Sequence, residues 1–284
     1  MSSQTQQLVK AVSTSDGAGV SLKRSIGTAA IRHHDPFLML DHFSSDDPDD
    51  YIAGFPPHPH RGFITFTYMI EGDMAHEDSM GNKGNLGPGG AQWMKAASGV
   101  IHSEMPKQED GVMHGFQLWI NLPAANKMDV PEYQEYTADA FPIVNTEAAD
   151  VKVVIGEFNG VVSPIQDETT EVNYLDVTLR ADQSFQYDLP ESNNSFLYVF
   201  DGEVLVNGQS VTEDELLTLP KDVDVSASTQ GARFIVVSGQ PINEPIVQGG
   251  PFVMNTREEI EQAVRDYHAN TLVRDRASVN LERA

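Results

Sequence analysis

The chain contains no cysteine, which excludes disulfide staples, thiolate metal sites and cysteine nucleophiles together. Positive charge is scarce: 18 Lys and Arg stand against 42 Asp and Glu, a formal net charge of −24. Such a field repels phosphate backbones, which proteins grip through Lys and Arg, so direct nucleic-acid binding is not expected. No run approaches the roughly 18 apolar residues that a membrane span needs, so no membrane is expected either. Met1-Ser2-Ser3-Gln4 opens without the basic and apolar stretches of a signal peptide, which makes a soluble cytoplasmic protein the expectation. The His-Glu-x-x-His motif of zinc proteases is missing. The acids are scattered, which reads as solubility. Their densest cluster, Asp46-Asp47-Pro48-Asp49-Asp50, lacks the spaced ligands of a calcium loop and reads as a solvated loop.

What is present is mostly β. The 284 residues fit one large or two medium domains. Short β-prone runs at 63–70, 115–122, 151–155, 174–179, 196–200 and 234–237 alternate with Gly, Pro, Asn and Asp. This is the pattern of an antiparallel sandwich or barrel, with a hairpin expected at Asn207-Gly208. Phe66-Thr67-Tyr68-Met69-Ile70-Glu71-Gly72 resembles Phe196-Leu197-Tyr198-Val199-Phe200-Asp201-Gly202, a weak internal repeat that fits two similar β domains. The linker between them is expected near 124–140, where Pro123, Pro131 and polar residues gather. After Gly249-Gly250-Pro251 a helix is expected, N-capped by Thr256 with Glu259 completing a capping box. Ile260, Ala263, Val264 and Tyr267 would form its apolar face, with His268 solvated near its end.

The chemistry concentrates in two clusters, His58-Pro59-His60 and His102-Ser103-Glu104. Each places two donors at i and i+2, which share one face of a β-strand. Two such strands turned towards each other would bring three imidazoles and a carboxylate together, a ligand set for Fe(II), Mn, Co, Ni, Cu or Zn with open positions. A lone histidine is more often a surface or hydrogen-bonded residue, but two such pairs on β-prone segments favour a site. Eight of the nine histidines lie between residues 33 and 114. Counted back from Gly202 as His58 and His60 are from Gly72, the second repeat offers Asp188 and Pro190. If there are two barrels, only the first holds metal.

His58-Pro59-His60-Arg61-Gly62-Phe63, Gln92-Trp93-Met94 and Gly99-Val100-Ile101-His102-Ser103-Glu104-Met105-Pro106 together resemble the pirin family of bicupins. His34-Asp35-Pro36-Phe37, His76-Glu77-Asp78-Ser79, Gln117-Leu118-Trp119-Ile120-Asn121-Leu122-Pro123 and Gly250-Pro251-Phe252-Val253-Met254-Asn255-Thr256 extend that resemblance, in order, along nearly the whole chain. It implies an all-β fold of two cupin barrels face to face with a C-terminal helix. The N-terminal cupin (1–125) would bind metal, and the C-terminal one (126–284) would be metal-free. His58, His60, His102 and Glu104 match the family's four ligands, and Fe(II) is the ion expected first. The resemblance implies a metal-dependent dioxygenase of the quercetin 2,3-dioxygenase type, using O2 to open a flavonol-like substrate, with Glu104 as catalytic base. Two alternatives stay open: a non-enzymatic, redox-responsive regulator that binds protein partners, and a cupin acting on another small molecule.

One departure concerns the pocket. Pirins commonly read His-Pro-His-Arg-Gly-Phe-Glu-Thr, whereas Ile64 replaces that Glu here. Strand alternation puts Ile64 and Phe66 on the face of His58 and His60, unless a bulge shifts the register. Both are therefore expected to line the pocket, with Trp93 as a further wall. His76 and His114 read as buried structural histidines, and none of His33, His34 and His42 as a ligand. Arg61 would pair with an acid of the ligand shell or with a surface carboxylate. Gly87-Pro88-Gly89-Gly90 reads as a turn, not a phosphate loop.

Overall fold

Period-two patterning becomes strand throughout. Among residues 6–220 and 222–274, which the computed structural model describes, the sole α-helix is α1, Arg257–His268. No helix among the described residues is long and apolar enough to cross a membrane. In chain order the strands of the first half are β1 (Leu8–Lys10), β2 (Val12–Asp16), β3 (Val20–Ile26), β4 (Phe37–Ser45), β5 (Phe55–His60) and β6 (Phe63–Glu71). They continue as β7 (Met74–Asp78), β8 (Lys83–Leu86), β9 (Ala91–Lys95), β10 (Val100–Pro106), β11 (Met113–Asn121) and β12 (Glu132–Tyr136). The expected linker stretch thus contains a strand, β12, at the edge of the sheet it joins.

The chain forms two compact units. Among the described residues, one gathers 6–12, 23–36 and 139–241, and the other 13–22, 37–138 and 242–274. The first rests on an antiparallel sheet in which Asn194–Val206 runs between Glu215–Leu219 and Asp222–Gly239. Leu197, Val199, Val204, Leu217, Phe234 and Val236 belong to its apolar core. Asn207 and Gly208, both at positive φ (50° and 84°), turn the expected hairpin, as a primed two-residue turn requires.

The second unit carries all the predicted metal ligands. Its seven-stranded sheet runs β12-β9-β6-β11-β4-β3-β2, and its four-stranded sheet runs β5-β10-β7-β8. Consecutive strands β5 and β6 therefore belong to different sheets. Between them lie Arg61 and Gly62. A Cβ on Gly62 (φ 91°) would stand 2.0 Å from the Val253 carbonyl oxygen, so only glycine fits. The crossing is held from every side. Gly62 N–H donates to the Ala97 carbonyl (2.8 Å), and the Arg61 carbonyl accepts from Val253 N–H (3.0 Å). The buried Lys127 ammonium donates to the carbonyls of Gly62 (2.7 Å) and Val253 (3.0 Å) and to Asn121 Oδ1 (2.6 Å).

Arg61 is buried. Its guanidinium donates to Asp266 on α1 (2.7 Å), to the Ser98 carbonyl (2.6 Å) and to the Leu272 carbonyl (3.3 Å). Its partner is thus neither a ligand-shell acid nor a surface carboxylate. This pair also corrects the expected face of α1. The capping box forms, with Glu259 N–H donating to Thr256 Oγ1 (3.3 Å) and Thr256 N–H to Glu259 Oε2 (2.9 Å). The buried stripe, however, is Ala263 and Asp266, with Ile260 packed beside Phe252 and Leu272, while Val264 and Tyr267 are exposed. An apolar template misses a helix whose core contact is an ion pair. Asp266→Ala strands a buried guanidinium and should destabilise the protein by about 3 kcal/mol in urea unfolding.

Burial pushes the Lys127 ammonium down to about 8, against the opposing pull of Glu244 and Glu259. Between that value and its ordinary value of 10.5, the unfolded chain holds a proton that the folded chain has released. Stability contributed by Lys127 therefore rises with pH across this window. Lys127→Met should remove that rise, as measured by the difference between wild-type and variant urea midpoints from pH 7.5 to 10.5 (roughly the window just named).

Candidate metal centre

Strands β5 and β10 are antiparallel neighbours within one sheet, with His58 directly opposite His102 and His60 opposite Val100. The two ligand pairs thus meet side by side across a hydrogen-bonded strand pair. Ring centroids lie 4.7 Å apart for His58 and His60, 4.4 Å for His58 and His102, and 4.9 Å for His60 and His102. One ligand nitrogen from each histidine falls within 4.8 Å of the other two.

The hydrogen bonds set the tautomers. His58 Nδ1–H donates to the Pro56 carbonyl (2.9 Å), and His60 Nδ1–H reaches the Pro251 carbonyl (3.4 Å). Each therefore presents an Nε2 lone pair, and these two nitrogens face each other at 3.0 Å. Two lone pairs at that distance repel unless a cation lies between them. His102 is buried with neither ring nitrogen hydrogen-bonded among the described residues. Buried polar nitrogens without partners are rare, and imidazoles serve as metal ligands in their neutral form. Burial and the neighbouring His58 push His60 down to about 3, and burial with the other histidines pushes His102 down as well. These residues fit a transition-metal ion.

Glu104 follows a bulge in the β5–β10 pairing and sits opposite His76 on β7. It shares ligand distance with His102 and His76, within 4.8 Å, in a second group overlapping the first at His102. Three neutral side chains hold its carboxylate. Gln92 Nε2 (3.2 Å) donates to Oε1 and Gln117 Nε2 (3.3 Å) to Oε2, and the Thr67 hydroxyl shares its one proton between Glu104 Oε1 (3.0 Å) and Gln117 Oε1 (2.5 Å). His76 is engaged at both nitrogens: Nδ1 accepts from Gln92 (3.1 Å) and Nε2–H donates to Asp78 (3.2 Å). Its ring stacks on Tyr133, centroids 4.5 Å apart. The expected structural role of His76 thus sits within reach of the ligand cluster.

The wall of the site comes from β6 and its neighbours, and the crossing at Gly62 decides which face it presents. Thr67 pairs with Gln92 on β9 and Gln117 on β11, the residues that meet Glu104. Phe63, on the same face, lies 5.0 Å from His60, and Trp119, opposite Thr65, lies 5.2 Å from it. Phe63, Thr65 and Thr67 therefore face the histidines. Ile64 and Phe66, with Trp93 opposite Phe66, lie on the other face. Parity counted from His58 does not survive the sheet change, because Arg61 and Gly62 redirect the chain. The sequence reading missed Thr67, Gln92, Gln117 and Trp119. A period-two row of polar residues, Thr65-x-Thr67 and Gln117-x-Trp119, was the signal available. Thr67→Val leaves part of a buried carboxylate unsatisfied and should lower stability by about 1–3 kcal/mol, measured by urea unfolding of the metal-free protein.

Two antiparallel β units, one with an apolar interior and one lined by histidines around a polar floor, define a bicupin-type protein able to hold a metal ion in one half. Residues 19–120 match the pirin family, and residues 174–273 match its description "Pirin C-terminal cupin domain". The chain belongs to the pirin family. It is 48% identical to a Pseudomonas aeruginosa protein provisionally named quercetin 2,3-dioxygenase, over 91% of this chain and 94% of that one. Identity to human pirin is 38%, over 89% of this chain and 88% of that protein. Among solved structures, quercetin 2,3-dioxygenase from Acinetobacter baumannii superposes with a TM-score of 0.86 at 29% identity, covering 94% of this chain and 96% of that one.

Proposed function

We propose that this chain is a metal-dependent dioxygenase of the quercetin 2,3-dioxygenase type, opening a flavonol-like ring with O2. The observation that carries the reading is the convergence of His58 and His60 Nε2 at 3.0 Å beside a buried His102 with no hydrogen-bond partner among the described residues. The likeness to quercetin 2,3-dioxygenase supports the substrate class. His58, His60, His102 and Glu104 are the proposed ligands and Fe(II) the proposed ion. When bound, the metal would supply Lewis acidity and access to O2 chemistry.

The protein's own part is positioning. The carbonyls of Pro56 and Pro251 fix the tautomer and aim of His58 and His60. Thr67, Gln92 and Gln117 hold Glu104 where it can take the proton of a substrate hydroxyl. Phe63 and Trp119, with centroids 4.3 Å apart, offer an aromatic surface beside His60. Metal binding is proposed for the N-terminal cupin, expected at 1–125, whose histidines lie in the unit built on 37–138. The C-terminal cupin, expected at 126–284 and built on 139–241, is proposed to be metal-free, since it offers Asp188 and Pro190 at the repeat positions of His58 and His60.

Protein reconstituted anaerobically with Fe(II) should bind one ion and, on addition of quercetin and O2, lose flavonol absorbance and release carbon monoxide. His60→Ala should weaken Fe(II) binding by well over about tenfold, read by calorimetry. Glu104→Gln should abolish turnover. Full metal loading without turnover across Fe, Mn, Co, Ni, Cu and Zn would refute the quercetin dioxygenase and favour a regulator that binds protein partners over a cupin acting on another small molecule.

A further inference from the structure

The floor facing the histidines is built in rows across three strands. The row Gln92–Thr67–Gln117 has its donors engaged, on Glu104, on His76 and within the row itself. The adjacent row is Met94–Thr65–Trp119. Thr65 stands between Phe63, which touches His60, and Thr67, which holds Glu104, on the same face of the same strand. That places Thr65 over the gap between the two groups of ligand atoms. Thr65 is fully buried and Trp119 is 9% exposed. Neither Thr65 Oγ1 nor Trp119 Nε1 has a hydrogen-bond partner among the described residues. A hydroxyl and an indole N–H left unpartnered side by side, in an interior where every other polar group of the floor is engaged, ask for an acceptor. Trp offers a donor only, so the group it meets must be an acceptor.

We infer that Thr65 and Trp119 are a paired hydrogen-bond donor site that recognises an anionic oxygen of a ligand seated beside His60, His102 and Glu104. The ligand class is a phenolate, enolate or carboxylate. Ile64, on the opposite face, takes no part in this recognition. The inference rests on the metal-site reading and deepens it by naming what selects the ligand.

The test uses the full chain loaded with Co(II), whose visible bands respond to an entering ligand. Metal affinity is measured first by calorimetry, and then acetate and imidazole are titrated separately. Acetate offers an oxygen acceptor, whereas bound imidazole offers none. Thr65→Val should weaken acetate roughly tenfold and leave both Co(II) and imidazole binding unchanged, and Thr65→Ser should restore acetate affinity. Trp119→Phe should weaken acetate in the same sense. Because Trp119 also packs in an apolar cluster, the near-isosteric Thr65 variants decide the matter if Trp119→Phe fails to fold. Unchanged acetate affinity in Thr65→Val, or equal losses for acetate and imidazole, would overturn the proposal while leaving the metal site standing. Absence of Co(II) binding by the wild type would overturn the metal-site reading, and this inference with it.

Discussion

The whole site depends on one backbone crossing. At Arg61-Gly62 the chain leaves the sheet that holds His58 and His60 and enters the sheet that supplies the floor. Gly62 permits this because a side chain would collide with the Val253 carbonyl. The crossing leaves main-chain carbonyls inside the protein, and these must find donors. Lys127 supplies them for Gly62 and Val253, and Arg61 itself serves the Ser98 and Leu272 carbonyls. Two buried cations are thus committed to holding a bend. The C-terminal segment contributes Val253, Asp266 and Leu272 to it, and Pro251 to the aim of His60. The segment after residue 242 is therefore part of the unit that holds the histidine cluster in a physical sense as well as a topological one.

This dependence explains what the sequence could and could not disclose. The shared face of donors at i and i+2 was legible because strand alternation is local, and β10 carries His102 and Glu104 inward as that rule requires. The capping box was legible because Thr256 and Glu259 interact within one helical turn. The pocket lining was not. Counting from His60 to Ile64 assumes one continuous strand, and the strand ends at His60. The buried face of α1 was misread for a related reason. Asp266 looks solvent-facing by composition, and only the distant Arg61 makes it a core residue.

His76 shows a subtler limit. Its reading as a structural histidine agrees with its two hydrogen bonds, yet the same ring lies within ligand distance of His102 and Glu104. The difference between a candidate ligand and a support here is which nitrogens are already engaged. His102 has both free of partners among the described residues, whereas His76 has neither. Residue type cannot carry that distinction, because it is made by Asp78, two residues along the same strand, and by Gln92, which reaches His76 from the other sheet.

The internal repeat held more information than its short length suggests. Aligned on Gly72 and Gly202, Thr65, Thr67 and Met69 correspond to Ser195, Leu197 and Val199. In the other unit Leu197 and Val199 lie in the apolar core, while Phe196 and Tyr198 do not belong to it. The face turned to each unit's own core or cluster is thus the one between the repeated aromatics, which by itself removes Phe66 from the face of the histidines. The functional difference between the units is then a change at the alternate positions. Where one unit needs Leu197 to fill a core, the other needs Thr67 to hold a buried carboxylate. A leucine at 67 would leave Glu104 with one donor fewer in an enclosed site, and a threonine at 197 would bury a hydroxyl among aliphatic side chains. Each exchange opposes burial energetics in its own unit. The same strand pattern can therefore carry a packed core or a polar site, and the residues at alternate positions decide which.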